Sequence, residues 1–299
     1  MSNRIRTTFS VQHFRHKLHE LTMESVVLYT FTFVLVIFAL LPLVYLINSA
    51  FKPLDEILRF PPRFFVRKPT MDNFSNLVVS LSSSTVPFLR YVFNSLVTTI
   101  ATVAGTVLVC VLGAYGLVIH NPKGSGVIMQ VVVAALMFSI YVTQIPNYMV
   151  VTGLGMYDSF AALVVPKIAV AYNFFLMERF TREIPNALIE AARIDGAGET
   201  HICFKVVMPL LKPAIATLIV LTFISSWNDS FSPLVFLVSQ EKKTLPVALS
   251  TIAGGVGVSD LGRVGATMAA SLITALPTIV VFTAMQSKVM QTMAHSGIK

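Results

Sequence analysis

Apolar residues run along this chain in long stretches, and the polar positions between them predict six membrane-spanning helices, at about 25–48, 91–119, 127–151, 160–177, 214–238 and 264–284. The first stretch alone covers a hydrocarbon core of roughly 30 Å at about 1.5 Å per helical residue. Breakers separate the spans: Lys52, Asp55, Glu56, Arg59, Pro61, Pro62 and Pro69 after the first, and the His120-Asn121-Pro122-Lys123-Gly124 turn after the second. Gln144, Pro146 and Asn147 interrupt the third span, and Pro166 and Lys167 lie inside the fourth. An even number of spans puts both termini on one side.

Two segments depart from this pattern. Residues 1–24 are basic (Arg4, Arg6, Arg15, Lys17), with Val11, Phe14, Leu18 and Leu21 at helical intervals, which predicts an amphipathic helix on the membrane surface. No small-residue cleavage site follows the next apolar run, so it is not a cleavable signal. His13, His16 and His19 fall on the wet face of that helix, and no acidic or thiol partner completes a metal set.

The other departure is residues 178–213, with five acids (Glu178, Glu183, Glu190, Asp195, Glu199) and five bases (Arg179, Arg182, Arg193, Lys205, Lys212). That charge density keeps the segment out of hydrocarbon. Pro185 suits a first helical position, good helix formers continue to Ile194, and Gly196 can end the helix in a left-handed conformation. A second helix is expected from Glu199 to Met208, broken by Pro209, with Pro213 opening the fifth span. Ala191 and Ala192 leave a shallow surface beside Glu190, which a cleft on another protein can grip; a plain connector with balanced charges remains the alternative.

Composition narrows the class to an all-α, polytopic membrane protein. With 55% hydrophobic and 12% charged residues, the 299-residue chain has too few charges to cover a soluble surface. The net charge of +8 is spread over several loops, which excludes a basic nucleic-acid groove and points to anionic lipid head groups as counter-ions. Cys110 and Cys203 form neither a disulfide framework nor a metal site. Placing the termini in the cytoplasm puts twelve Lys and Arg inside against nine outside, a weak bias toward a cytoplasmic 178–213 segment.

Within the spans, Ser225, Ser226, Trp227, Asn228, Asp229, Ser230 and Ser232 break the fifth at its centre. Ser225, Asp229 and Ser232 are spaced four and three apart and are expected on one helix face. A carboxylate at mid-membrane costs at least ~2.5 kcal/mol, so that face should look into protein or water. Gln144, Asn147, Asn173 and Lys167 are candidates for lining the same passage, with groups that suit sugar hydroxyls. The alternatives are helix-to-helix hydrogen bonds and a Lys167–Asp229 pair. Small residues at Gly105, Gly113, Gly116, Ala269, Ala270 and Ala275 predict close helix contacts.

No phosphate loop occurs. Gly254-Gly255-Val256-Gly257 lacks its lysine, and no catalytic constellation or metal spacing is present.

At the polar loop the sequence resembles a known family. Glu190-Ala191-Ala192, Asp195-Gly196-Ala197 and Met208-Pro209-Leu210 look like the EAA loop of permease subunits in binding-protein-dependent ABC importers. Arg179-Phe180, Ser226-Trp227-Asn228-Asp229, Phe51-Lys52-Pro53 with Glu56, and Asn94-Ser95 extend the likeness to the carbohydrate branch, the maltose-importer type. Val207-Met208 stands where Leu is expected before Pro209, and Lys167 lies in a span that is usually uncharged.

The resemblance implies that Pro185 to Ile194 docks in a cleft of a separate ATPase, with Glu190 and Gly196 as characteristic positions. It also implies a second permease, two ATPase subunits that use ATP and magnesium, and an extracytoplasmic binding protein. This chain itself binds no cofactor and is no enzyme on that reading. The expected cargo is a saccharide, moved across a bacterial inner membrane; an anionic saccharide such as a uronide is the variant that Lys167 and the outer basic loops suggest. A secondary transporter using Asp229 and Lys167 for protons or ions is the competing class, weakened by the lack of an internal repeat.

Overall fold

A computed structural model describes residues 23–82, 86–253 and 260–296, with side chains at 80–82, 252–253, 260–263 and 291–296 excepted. The expected surface helix at 1–24 falls almost wholly outside these residues, as does the Gly254–Gly257 stretch. Every element among the described residues is helical.

Three helices are long and apolar enough to cross a membrane alone: α1 (Met23–Ala50), α4 (Phe88–Ile119) and α14 (Asp260–Ser296) through its Val264–Met290 portion. None of the apolar window of α1 is buried against the rest of this chain, so its surface calls for an apolar covering from outside the chain. Between α1 and α4 lie two short helices that the sequence pattern missed, α2 (Leu54–Ile57) and α3 (Asp72–Ser82).

The remaining spans are broken: the fifth within the polar run Ser225 to Ser232, as its sequence suggests, the others away from the residues expected to interrupt them. The third is α5 (Ser125–Leu136) followed by α6 (Ile140–Gly153) at 113°. Gln144, Pro146 and Asn147 leave α6 unbroken; the chain turns instead at Met137–Ser139, because the Ser139 hydroxyl accepts the Tyr141 N–H at 3.4 Å and starts a new helix. The fourth is α7 (Ala161–Ile168) and α8 (Ala171–Arg182), bent by 40°. Pro166 removes a donor inside α7, and the Thr106 hydroxyl donates to the Lys167 carbonyl near the break.

Helix α8 runs to Arg182, past the expected end at Met177. It does so because Glu178, 1% exposed, is neutralised on site: Arg182 Nε donates to it at 2.8 Å and Arg179 lies 3.7 Å away. The polar loop follows as α9 (Asn186–Ile194) and α10 (Glu199–Leu210). Pro209 does not break α10. The helix widens into a π turn over Ile202–Val207, which gives room to the proline ring that would press on a carbonyl four residues back, and the 78° bend comes at Leu211.

The fifth segment is α11 (Lys212–Trp227), opened by Pro213 as expected, then α12 (Phe231–Phe236); α13 (Leu245–Ala253), buried from Leu245 to Leu249, lies where the hydropathy pattern predicts no element. Helix α11 packs on α14 and α4, and α4 on α7 and α8. Small residues allow these approaches: a Cβ on Gly105 would sit 2.9 Å from Ile168, and one on Gly113 2.7 Å from Phe174. Gly116 has no such neighbour within 4 Å. Two large apolar clusters result, one around Leu77, Trp227, Leu245 and Ala269, the other around Cys110, Met177, Ile202 and Leu218.

Candidate functional site

The loop between α8 and α11 is assembled from its own sequence signals. Pro185 is the N-cap of α9, one position earlier than expected, with φ −62° and ψ 128°. At the other end Gly196 takes φ +80°; its N–H reaches the Arg193 carbonyl and the Ala197 N–H reaches Ala192, the paired bonds of a Schellman stop.

Helix α9 is anchored by one side chain. Ile189, 2% exposed, inserts among Met177, Ile202, Cys203 and Val207, a burial that contributes roughly 1.5–3 kcal/mol. Ala192 and Ala197 pack partly against the same cluster. Ala187, Glu190, Ala191 and Ile194 lie three, four and seven positions apart on one exposed face, and Ile194 is 86% exposed. The six residues expected to couple to an ATPase therefore divide: Glu190, Ala191, Asp195 and Gly196 face solvent, while Ala192 and Ala197 hold the loop to its base.

A polar clamp not visible in the sequence joins this loop to the end of α4. Tyr115 donates its hydroxyl to Glu199 Oε2. Arg193 donates to Glu199 Oε1 through Nε at 3.1 Å and Nη2 at 3.0 Å, and His120 Nε2 lies 3.5 Å from Oε2. The Tyr115 hydrogen bond, and after it Arg193, hold the Glu199 carboxyl below its ordinary pKa. Eighty-four residues separate Tyr115 from Glu199, and no local periodicity reports such a pairing.

The second cluster of expected residues is only partly brought together. Lys167 pairs with Asp229, whose Oδ1 also accepts the N–H groups of Phe231 and Ser232 at 3.0 Å each. Asp229 thus caps the start of α12. Helix α11 ends at Trp227, so Ser225, Asp229 and Ser232 do not share a helix face; the carboxylate captures free N–H groups that would otherwise continue the helix. Asn173 is buried and donates to Thr222 Oγ1 at 3.3 Å, which makes it an α8–α11 tie rather than a lining group. Asn228 donates to the Ile224 carbonyl at 2.9 Å and to Thr278 Oγ1 at 3.3 Å.

Gln144 and Asn147 sit half-buried on α6, Ser225 is exposed on α11, and no hydrogen bond among the described residues joins them to the Lys167–Asp229 pair. Tyr148, beside Asn147, stacks on Phe236 of α12 with ring centroids 6.0 Å apart.

The flanking motif residues are fasteners. Asn94 donates to the carbonyls of Glu241 and Lys243 at 2.8 and 2.9 Å, Ser95 Oγ accepts the Leu245 N–H at 2.7 Å, and Trp227 Nε1 donates to the Thr274 carbonyl at 3.0 Å. Asp158 was missed altogether. It accepts from Val238 N–H and Ser239 N–H at 3.0 Å and from Lys242 Nζ at 2.9 Å, and Ser239 chiefly, then Lys242, push its pKa well down.

Residues 21–295 match the family described as binding-protein-dependent transport system inner membrane component. The chain belongs to this family. Among its relatives is the arabinooligosaccharides transport system permease protein AraQ of Bacillus subtilis (strain 168), 28% identical over 94% of this chain and 98% of that protein. The sn-glycerol-3-phosphate transport system permease protein UgpE of Escherichia coli O1:K1 / APEC is 31% identical over 78% and 82% of the two chains. A crystal structure of a bacterial ABC transporter involved in the import of the acidic polysaccharide alginate superposes with a TM-score of 0.77 at 23% identity, over 89% of this chain and 96% of that one, which shows a shared fold. As a permease component of this family the chain is a non-catalytic, polytopic inner membrane protein.

Proposed function

We propose that this chain is one permease subunit of an ATP-driven importer of saccharides, with an oligosaccharide as cargo. The permease names of the relatives support the class, and AraQ supports the cargo. The observation that carries the coupling role is the exposed Ala187, Glu190, Ala191, Ile194 face of α9, held on a buried Ile189 and clamped through Arg193 and Glu199 to α4. On this reading α9 docks in a cleft of a separate ATPase. Glu190 meets a basic donor there, and Asp195, Gly196 and Ala197 set the turn behind it.

The assembly holds a second, homologous permease, two ATPase subunits that bind ATP and magnesium, and an extracytoplasmic solute-binding protein; both termini face the cytoplasm. ATP closes the ATPase dimer, α9 moves with it, and α10 passes the motion through Leu211 into α11, so that the passage changes the side it opens to. Lys167, Asp229, Asn228, Ser225, Gln144 and Asn147 border that passage, and Asn173 positions α8 against α11. Coupling requires that the ATP-bound ATPase favour one permease state over the other.

The test is uptake of neutral and uronide oligosaccharides, side by side, into vesicles carrying the assembled transporter. Wild type takes up the cargo only with ATP. Glu190→Lys inserts normally and loses uptake; unchanged uptake in that variant would reduce the loop to a connector, and a uronide-only preference would identify the anionic class.

A further inference from the structure

We propose that the Leu58–Lys68 loop, folded against the end of α1, is a binding site for anionic phospholipid head groups. The loop carries Arg59, Arg63, Arg67 and Lys68 around Phe60 and Phe65, which are 92% and 65% exposed. Such a combination of cations and bare aromatics suits the head-group layer, where guanidinium forks match phosphate oxygens and aromatic rings sit at the boundary.

The loop's position supports this occupant. The Val66 N–H reaches Asn48 Oδ1 at 3.2 Å, Phe64 packs on Tyr45 at 5.6 Å, and the Thr70 N–H bonds the Phe51 carbonyl at 2.9 Å. Tyr45 and Asn48 belong to the last two turns of α1, the helix whose apolar window no other part of this chain buries. The loop is therefore bent back to the level at which this apolar helix leaves the bilayer.

Its four cations also outnumber the one carboxylate that acts on them. Among the described residues none of the four cations makes an ion pair. Glu56 attracts Arg63 from a distance, but its carboxylate is buried and accepts the backbone N–H groups of Arg67 and Lys68 at 3.0 and 3.1 Å. Burial, and then repulsion from Arg59 and Arg67, lower the Arg63 pKa. The same four residues are much of the reason that the Lys/Arg asymmetry between the two membrane sides is weak, since they sit on the side expected to be poor in cations. An anionic lipid leaflet supplies the missing counter-charge.

The experiment uses the full chain in its assembled transporter, reconstituted in bilayers of phosphatidylcholine with a small fraction of spin-labelled phosphatidylglycerol or, in parallel, spin-labelled phosphatidylcholine. Wild type holds the phosphatidylglycerol label in preference to the phosphatidylcholine label. Arg63→Gln weakens that preference by about fivefold at low salt, and R59Q/R63Q/R67Q/K68Q abolishes it. Lys123→Gln, on another loop, leaves it in place, and unchanged thermal stability of the quadruple variant in detergent shows that it is folded. A quadruple variant that keeps the full lipid preference overturns the proposal. So does one that keeps it while losing stimulation by the soluble binding protein, which would make the loop a protein-docking surface instead.

Discussion

Lys167 and Asp229 show how a charge in an apolar segment is tolerated. Each is mostly enclosed, and each is the other's counter-ion. Removing one partner leaves the other stranded, whereas removing both replaces a desolvated pair with neutral groups. Lys167→Met alone is expected to cost about 3 kcal/mol in thermal or chemical denaturation in detergent, and Lys167→Met with Asp229→Asn to recover most of it. Glu199 is a different case, a carboxylate at the aqueous edge whose pKa is held down first by Tyr115 and then by Arg193. Because its folded pKa is depressed, its contribution is complete above the ordinary carboxylate value of about 4.3 and is lost as pH falls through the lower folded value. Melting temperatures of wild type and Glu199→Gln, compared from neutral pH to about pH 3, are expected to differ fully at neutral pH and to converge below about pH 4.

Among the elements, α9 carries the clearest division of labour. One buried residue, Ile189, holds it down, and a strip containing Glu190 stays exposed, the face proposed to meet the ATPase. Ile189→Ala is expected to destabilise the loop by about 2 kcal/mol or more and to lower uptake per ATP hydrolysed, measured together in vesicles. A merely local role would leave that ratio untouched. Much of α9 is legible in the sequence because its signals are local: Pro185 before the helix, helix formers to Ile194, and a glycine at the one position that needs positive φ. The breaks in α5–α6 and α10–α11 are not legible in the same way. Pro146 and Pro209 look like breakers, yet the chain turns at Ser139 and Leu211, where capping and core packing outweigh the loss of one proline donor. The close approach of Gly265 to Asn73 is equally silent; a Cβ there would meet Asn73 Oδ1 at 2.1 Å, while the Asn73 amide ties down the carbonyls of Ala50 and Lys52.

Taken whole, the molecule is a set of apolar and broken helices with the polar 178–213 loop, the proposed docking element, at one end and fastened loops at the other. Asp158 with Lys242, and Asn94 with the 241–243 carbonyls, lock the latter. If Lys167 and Asp229 served as ion carriers, a proton gradient would drive uptake. With both committed to each other and Asp229 further bonded to two backbone N–H groups, uptake is expected to require ATP and to survive an uncoupler that collapses the gradient. Uptake into the same vesicles with ATP plus uncoupler, against gradient alone, checks this.

Hydropathy and charge placement were enough to establish an all-α membrane protein and the polar loop between α8 and α11, and the motif residues of that loop, Glu190-Ala191-Ala192 and Asp195-Gly196-Ala197, carried its likeness to importer permeases. These are properties of chain segments, set by the cost of placing charge in hydrocarbon and by local helix signals. The partners of Glu199, Asn173 and Asp158 depended on the three-dimensional packing, because each hydrogen bond joins residues distant in the chain, and for Asp229 the packing selected the Lys167 pair from the alternatives that the sequence left open. A spacing of three and four put Ser225 and Asp229 on one face; the free N–H groups at the start of α12 put Asp229 elsewhere, since its carboxylate accepts both of them and so ends one helix and starts the next.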